Sequence, residues 1–274
     1  MSDVLDKNEA IDILKKLDSS KLDRIKHLSN EGYASYVTSA GWLGYSDEKI
    51  KTLCIEASKK GFKHVKLKVG KNLNDDVRRI SVVRETLGDE VKILLDANQV
   101  WEVDEAIKWM KELSKFNPYF IEEPTSPDDV LGHRKIKDAI YPIKVATGEA
   151  VQNRIIFKQL ISHEAIDIVQ IDACRMGGIN EALAVQLIAK KFDIPVWPHA
   201  GGVGLCEYVQ HLAMIDYISI SGKKSENVIE YVDHLHEHFV HPVQLKNINY
   251  MPPSSPGFSI DLKPETFKNF IFQN

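Results

Sequence analysis

The sequence has little cysteine, no long apolar run and no block of one charge, and each shortage argues against a class of protein. Its three cysteines, Cys54, Cys174 and Cys206, are odd in number and far apart, which fits a reducing compartment rather than a disulfide framework or a zinc knuckle. No apolar run approaches the roughly 20 residues that a membrane helix requires. The opening MSDVLDKNEA is too acidic for a signal or transit peptide. We therefore expect no membrane partner and a cytoplasmic location, or a mitochondrial one if the native chain has a longer N-terminus.

Charges of both signs are mixed along the whole length and sum to a formal net charge of −4. A basic block or an arginine-rich arm, the usual sign of nucleic-acid binding, is not found. We therefore do not expect nucleic acid as the main partner. What the chain does have is size, because 274 residues, 43% of them hydrophobic, suit one large barrel domain or two small domains.

Short β-branched runs alternate with helical patterns along most of the chain. The predicted strands are Tyr36–Ser39, Val65–Val69, Lys92–Asp96, Tyr119–Glu122, Ile143–Thr147, Asp167–Asp172, Ile194–Pro198 and Tyr217–Ser221. Between them lie segments of helical periodicity such as DEKIKTLCIEASKKG and NEALAVQLIAKKF. Eight strands with intervening helices predict an α/β fold, a TIM-type (β/α)8 or (β/α)7β barrel. A doubly wound open sheet is the alternative, but it would gather its chemistry at one switch point.

The two ends of the chain differ from its middle. Residues 1–31 are charged and helical and show no barrel strand, and residues 242–274 contain the turn cluster MPPSSPG. We expect an N-terminal helical segment over 1–31, a barrel domain over 32–241, and a C-terminal tail over 242–274 that packs on the barrel.

Three acidic residues each end a short apolar run, and successive ones lie roughly one strand-plus-helix unit apart. They are Asp96 in KILLDAN, Glu122 in PYFIEEP and Glu149 in IKVATGEA. In an α/β barrel the ends of neighbouring strands meet at one mouth, so these carboxylates should converge. Carboxylate oxygens are the ligands of hard cations such as Mg²⁺. The spacing therefore predicts a site for one Mg²⁺ ion.

Two lysines alternate with apolar residues in VKLKVG, so Lys66 and Lys68 project from one face of a strand. On an edge strand they would simply be solvated. Both faces of a strand in a parallel barrel are covered, however, so each ammonium group there needs a carboxylate partner or a lowered pKa. Lys68 is nearer the mouth and is the better candidate for a base.

A histidine, His199, follows a strand end in IPVWPHAGGVG, beside glycines that let the backbone approach a ligand. Asp172 ends the preceding strand in DIVQIDACRMGG. A carboxylate on an adjacent strand can hold one ring nitrogen of an imidazole and fix its tautomer. We expect an Asp172–His199 pair, with a hydrogen-bonded loop histidine as the alternative.

Seven motifs taken together resemble the barrel of the enolase superfamily, mandelate racemase subgroup: KLK, LLDANQ, FIEEPTSPDD, ATGE, QIDACRMGG, WPHAGGVGLCE and ENVIEYVDHLHEHF. The resemblance runs from about Gly32 to the end of the chain and is greatest to the L-fuconate dehydratases. It implies a Mg²⁺-dependent dehydratase of a small sugar acid, with conversion of L-fuconate to 2-keto-3-deoxy-L-fuconate as the expected reaction. Other racemases and dehydratases of the superfamily share the metal ligands, so the substrate stays open.

The resemblance also implies roles for the residues already singled out. The metal ligands would be Asp96, Glu122 and Glu149. Lys68 would be the base and Lys66 would lie beside the substrate carboxylate. Asp172 and His199 would act on the opposite face of the substrate.

Two further residues enter only through the resemblance. Asn98, two residues past the first metal ligand, would contact substrate. Glu230 matches a glutamate of the eighth strand that hydrogen-bonds the substrate carboxylate, for which it would need a proton or a neighbouring lysine. Glu123, by contrast, should face away from the metal and form a salt bridge.

Members of the family carry an N-terminal α+β capping domain that closes over the barrel mouth, and we expect it to be absent from this chain. Residues 1–31 would then be the remnant of its linker, and turnover by the chain would be weak or absent. Two other functions remain open: a Schiff-base aldolase that uses Lys66 or Lys68, and a non-catalytic barrel with a binding or regulatory role. The oligomeric state is also open, with a homo-oligomer possible.

Overall fold

Strands and helices alternate in the computed structural model, which describes residues 2–223 and 227–271. The strands are β1 (Tyr33–Gly41), β2 (His64–Lys68), β3 (Lys92–Asp96), β4 (Phe120–Glu122), β5 (Lys144–Thr147), β6 (Ile168–Val169), β7 (Ile229–Tyr231), β8 (Leu245–Lys246) and β9 (Asn249–Tyr250). The helices are α1 (Lys7–Lys16), α2 (Lys21–Glu31), α3 (Asp47–Lys60), α4 (Leu73–Leu87), α5 (Val103–Leu113), α6 (Val130–Ile140), α7 (Arg154–Ser162), α8 (Ile179–Lys191), α9 (Leu205–Ile215) and α10 (Pro264–Asn269). Each strand from β1 to β6 is followed by a helix, as the periodicity predicts.

The parallel strands close into a barrel. Strands β1 to β6 pair in chain order, and residues 195–199 continue the sheet through a parallel bridge between Val169 and Val196. The Glu230 N–H of β7 donates to the Pro198 carbonyl at 3.4 Å, and β7 pairs in parallel with β1. Within the described residues the barrel therefore has eight parallel strands, counting residues 195–199 as the seventh and β7 as the last, and the prediction of a TIM-type barrel is confirmed in its (β/α)7β form.

The predicted strand at Tyr217–Ser221 is wrong. Residues Asp216–Ile220 form a π-helical turn that continues α9, and the last stave lies further along the chain at β7. The turn is held by packing on the N-terminal helices, where the Tyr217 hydroxyl lies 2.7 Å from His27 Nδ1 of α2. A short apolar run rich in β-branched residues has the same composition in a buried helix as in a buried strand, so its periodicity does not distinguish them.

Two helices precede the barrel and an antiparallel hairpin follows it. Helix α1 begins at a capping box in which Asp6 and Glu9 each accept the other's backbone N–H at 2.9 Å. The hairpin of β8 and β9 lies against the first stave, because β9 pairs with β1. The domain boundaries at 31 and 241 stay a prediction. Within residues 2–223 and 227–271, no helix is both long and apolar enough to cross a membrane.

An apolar layer fills the barrel below its mouth. It consists of Tyr36, Leu94, Phe120, Ala146, Ile168, Trp197 and Val228. Side chains two residues apart on a strand point to the same side, so the residues that come next in the interior lie directly above this layer. These include Asp96, Glu122, His199 and Glu230, each two positions past a member of the layer. The strand period therefore places the candidate site on an apolar floor.

The buried hydroxyl of Tyr250 joins the β8–β9 hairpin to β7, since it donates to the Glu230 carbonyl at 2.5 Å. Tyr250→Phe should lower the free energy of unfolding by about 1 kcal/mol, because the carbonyl loses a buried donor. Urea denaturation measures this loss. The matched change at Tyr141, which is 86% exposed, should have an effect within about 0.5 kcal/mol. Equal effects at the two positions would contradict the assignment.

The stability of the chain should also depend on the protonation of Asp216, which is 2% exposed. Burial raises the pKa of this carboxyl from its ordinary value of 3.8 to about 6. The folded state thus binds the proton more tightly, so the stabilisation is complete below pH 3.8 and is lost as the pH rises through 6. Relative to Asp216→Asn, the wild type should lose roughly 3 kcal/mol of unfolding free energy over this window.

Urea unfolding of both proteins at a series of pH values tests this expectation. Asp89→Asn is the control, because Asp89 is 95% exposed and the change should leave the pH dependence intact. A difference between wild type and Asp216→Asn that stays constant with pH would show that burial does not hold the proton on Asp216.

Candidate metal and proton-transfer site

Three carboxylates meet at the mouth of the barrel, where β3, β4 and β5 end. One oxygen from each of Asp96, Glu122 and Glu149 lies within 4.8 Å of the other two. Asp96 and Glu122 are fully buried, and the Glu149 side chain is 15% exposed. The structure thus brings together the three residues that the spacing of the strand ends predicts.

The donor set fits a hard cation. Burial raises the pKa of Glu149 to about 8; His199 acts in the opposite direction, and the neighbouring carboxylates reinforce the rise. The pKa of Glu122 is also raised, by burial and by Asp96. Glu149 Oε2 is buried and lies 3.1 Å from His199 Nε2. Three carboxyl groups this close together offer the oxygen ligands that an ion such as Mg²⁺ prefers, and its charge would favour their ionised forms.

Lys66 lies inside this group of carboxylates. Its Nζ is 2.9 Å from both Glu122 and Glu230 and 3.3 Å from Asp96, and its side chain is 1% exposed. Burial alone would lower its pKa, but the surrounding carboxylates outweigh burial and hold the pKa well above the usual range. Lys66 is therefore a permanent cation and not a base.

Lys68 lies closer to solvent than Lys66, as its position nearer the mouth predicts. Its side chain is 18% exposed, and Nζ lies 2.5 Å from Asp96 Oδ2. The two lysines are on the same side of β2, but only Lys68 lines the cavity described below. A proton acceptor for a bound molecule has to reach that molecule, and of these two lysines Lys68 has the access.

Asp172 holds His199 in the orientation that the sequence predicts. His199 Nδ1 is 2.9 Å from Asp172 Oδ2, while Nε2 accepts from Gly201 N–H at 3.2 Å and lies 3.1 Å from Glu149 Oε2. The neutral ring thus donates from Nδ1, and the protonated ring turns an Nε2 proton toward Glu149. Burial lowers the pKa of His199, but Glu230 and Asp172 reverse this and raise it to about 9. His199 is therefore suited to donate a proton.

Glu230 is charged and pairs with a neighbouring lysine, which is one of the two alternatives expected for it. Oε1 pairs with Lys66 at 2.9 Å, and Oε2 accepts the Ala200 N–H at 3.0 Å. Burial raises the pKa of Glu230, but Lys66 and His199 outweigh it and bring the pKa to about 2. Asn98 is exposed, and what reaches the site is its backbone N–H, which donates to Asp96 Oδ1 at 3.0 Å.

The expectation for Glu123 needs correction. Glu123 is 1% exposed, and it accepts from Gln99 Nε2 at 2.8 Å instead of forming an ion pair with any described residue. Burial, with Asp96 and Glu122 nearby, raises its pKa to about 7. Strand β4 ends at Glu122, and Glu123 has a φ of +44°, so strand alternation no longer fixes its direction. In the sequence, the signal of this turn is a second glutamate directly after Glu122, followed by a proline.

A cavity of about 350 Å³ opens above these residues. Its lining combines Lys68 on one wall with Asp172 and His199 on another, and it also includes Thr38, Trp42, Cys174, Arg175 and Val203. Sequence reasoning did not give Thr38 or Arg175 a place here, although Arg175 follows a strand-end acid by three residues. The volume suits a small organic molecule.

Loss of the Lys66 charge should strongly destabilise the fold. Lys66→Met leaves three buried carboxylates without their shared cation, which should lower the free energy of unfolding by about 3–5 kcal/mol. The control is Lys68→Met, where the lysine contacts one carboxylate and is partly exposed, so the loss should be less than half as large. Urea denaturation measures both, and equal losses would show that Lys66 does not hold the carboxylates together.

Comparison with known proteins supports one family. Residues 49–266 match the family described as enolase C-terminal domain-like. The chain is 52% identical to human mitochondrial enolase superfamily member 1 over 270 residues, which cover 98% of this chain and 61% of that protein. It is also 52% identical to L-galactonate dehydratase of Hypocrea jecorina over 277 residues, covering 99% of this chain and 61% of that enzyme. The chain thus spans about three fifths of the length of these relatives.

Solved structures agree with the sequence relatives. The crystal structure of human mitochondrial enolase superfamily member 1 superposes with a TM-score of 0.95 over 97% of this chain and 61% of that one. L-talarate/galactarate dehydratase from Salmonella typhimurium LT2, liganded with Mg and L-lyxarohydroxamate, has a TM-score of 0.77 at 28% identity, over 92% of this chain and 62% of that one. With the family match, the relatives and the barrel in agreement, this chain belongs to the enolase superfamily, and its structural neighbours are enzymes of the mandelate racemase type.

Proposed function

We propose that this chain carries the site of a Mg²⁺-dependent sugar-acid dehydratase, a hydro-lyase, with L-fuconate as its substrate. The observation that carries the proposal is a cluster of three carboxylates, one of which, Glu149, lines the same cavity as Lys68 and His199. Relatives named L-galactonate dehydratase, L-talarate/galactarate dehydratase and arabinonate dehydratase support the reaction class. L-fuconate itself rests on the motif resemblance.

Asp96, Glu122 and Glu149 would hold Mg²⁺, which when bound supplies Lewis-acid neutralisation of the substrate carboxylate. Lys66 adds a second, permanent positive charge next to these ligands. A proton on the carbon beside a carboxylate is very weakly acidic, so its removal requires charge stabilisation as the negative charge forms. Lys66 is buried, and its charge is therefore worth more than it would be in water.

Proton transfer is divided between the two walls of the cavity. Lys68 takes the α-proton, and His199 gives a proton to the departing β-hydroxyl, which leaves as water. Asp172 keeps the imidazole in the orientation that exposes Nε2. The resulting enol takes up a proton at carbon 3 and becomes a 2-keto-3-deoxy acid. One molecule of water is lost overall, and no oxidant or reductant is needed.

The Schiff-base alternative fits the geometry less well. A lysine that forms an imine must lose its proton, and the carboxylates around Lys66 hold that proton on. Lys68 is reachable, but the aldolase reaction leaves the cluster of Asp96, Glu122 and Glu149 without a role. A binding barrel without turnover remains the second candidate, because the rim of the cavity is open, with Trp42 at 42% and Val203 at 59% exposure.

Mg²⁺ calorimetry and an assay for 2-keto-3-deoxy acids test the proposal. The panel would contain L-fuconate, L-galactonate, galactarate and arabinonate, with EDTA as the metal control. We expect turnover of L-fuconate that EDTA abolishes and that Lys68→Ala lowers by at least about 10²-fold. Lys71→Ala, at an exposed lysine outside the cavity lining, should leave the rate unchanged.

The outcomes separate the candidates. Turnover of another acid in the panel would keep the dehydratase and reject L-fuconate. Mg²⁺ binding without turnover of any acid would reject catalysis by this chain and leave the binding barrel. Turnover that persists in EDTA, or trapping of a keto acid on Lys68 by borohydride, would reject the metal-dependent dehydratase.

A further inference from the structure

A buried arginine outside the site holds the backbone of Lys68. Arg79 of helix α4 is 0% exposed, and its Nη2 donates to the Lys68 carbonyl at 2.8 Å. The guanidinium is paired with the buried Asp76 and, at 2.9 Å, with Asp75. Arg79 Nη1 also lies 3.5 Å from the carbonyl of Gly41, at the end of β1. The Arg79 side chain thus contacts the ends of both β1 and β2.

The partner of Arg79 holds the other end of the same turn. Asp76 Oδ2 accepts the Gly70 N–H at 2.7 Å and the Trp109 Nε1–H at 3.2 Å. The turn from Lys68 to Gly70 therefore has its first carbonyl on Arg79 and its last N–H on Asp76. Gly70 has a φ of +107°, and a Cβ there would lie 2.4 Å from Val100 in the loop after β3, so the turn has no space to move outward.

The pair lies beside an irregularity in the pairing of β1 with β2. Pairing between β2 and β3 continues to the end of β2, where Lys68 is opposite Asp96 and the Val69 N–H donates to the Asp96 carbonyl at 2.9 Å. Pairing between β1 and β2 is irregular in the stretch from Val37 to Gly41. On the side of β2 that faces β1, the Lys68 carbonyl accepts from Arg79 in place of a backbone N–H of a regularly paired strand.

Stability alone does not account for a fully buried ion pair. Replacing such a pair by apolar residues of similar volume is often neutral or stabilising, because two charges no longer need to be desolvated. The start of α4 is capped separately, since the Asn72 side chain accepts the Asp75 N–H at 3.0 Å. What the Arg79–Asp76 pair adds is a charged donor for the Lys68 carbonyl and a charged acceptor for the Gly70 N–H, both held at the end of β2.

We propose that the Arg79–Asp76 pair is a positioning device for Lys68, which sets where its ammonium group stands relative to Asp96 and the cavity. The consequence for catalysis rests on the proposed function, in which Lys68 is the base. The effect on the backbone does not, because it follows from the hydrogen bonds to Lys68 and Gly70.

Helix α4 offers a matched control. Arg84 is 15% exposed and donates to four backbone carbonyls, those of Gly88, Val91, Phe116 and Asn117. These carbonyls lie outside the cavity lining and away from the end of β2. Arg84→Met therefore removes a partly buried set of arginine-to-carbonyl hydrogen bonds from the same helix without touching Lys68.

The experiment compares Arg79→Met, Arg79→Lys and Arg84→Met in the full chain. Hydrogen exchange measured by NMR at Val69 and Gly70 should accelerate by at least about 10-fold in Arg79→Met beyond any change in global stability, and stay unchanged in Arg84→Met. In the dehydratase assay, Arg79→Met should lower kcat by about 10- to 100-fold with KM within about 3-fold, because a misplacement of about 1 Å is enough for such a loss. Arg79→Lys keeps one of the donors and should recover part of both effects.

Each outcome either supports or overturns the proposed role of the Arg79–Asp76 pair. Exchange at Val69 and Gly70 that is the same in Arg79→Met and Arg84→Met would overturn the proposal, and so would equal losses of kcat. Should Arg79→Met fail to fold, Arg79→Lys takes its place, and wild-type exchange at Gly70 in that variant would overturn the proposal. Absence of wild-type turnover would reject the dehydratase function for this chain, while the exchange measurements would still decide whether the pair holds Lys68.

Discussion

The positive charge of Lys66 is the interaction on which the architecture of the site depends. Three carboxylates, those of Asp96, Glu122 and Glu230, approach this one ammonium group within 3.3 Å, and all four side chains are buried. Like charges this close in a low-dielectric interior repel strongly unless a cation compensates them. Lys66 supplies that compensation from within the chain. The folded state therefore does not depend on a bound metal alone to hold these side chains together.

The barrel makes this cluster possible because it stacks the interior side chains in layers. The apolar layer fills the lower half, and the residues that come next in the interior include Thr38, Asp96, Glu122, Gln170, His199 and Glu230. The site has the apolar layer below it and the cavity above it. The two lysines therefore differ in their surroundings, although they are only two positions apart on β2. Lys66 is enclosed by the carboxylates and stays charged, whereas Lys68 borders the cavity.

Much of this was accessible from the sequence, because strand ends carry strong local signals. Asp96 and Glu122 each end an apolar run, and the alternation in VKLKVG sets Lys66 and Lys68 on one face. What sequence reasoning missed depends on the third dimension. Asp76 and Arg79 belong to a helix rich in charged residues, yet both are buried because α4 packs over the end of β2. Glu123 and the turn at Asp216–Ile220 were misjudged for a related reason: left-handed backbone and helix packing override the local pattern.

The last barrel strand, β7, is synthesised late, and the site is incomplete until it is in place. Glu230 lies on β7, which pairs with β1 and so joins the two ends of the barrel sequence. Contacts between residues so far apart form late, because a long loop must close first. During synthesis Lys66 and the first carboxylates emerge well before Glu230, and in that interval the site lacks one of its charges and the sheet has two free edges. A nascent chain stalled before β7 would therefore expose strand edges that the finished barrel does not have, which makes it a substrate for chaperones and for edge-to-edge association.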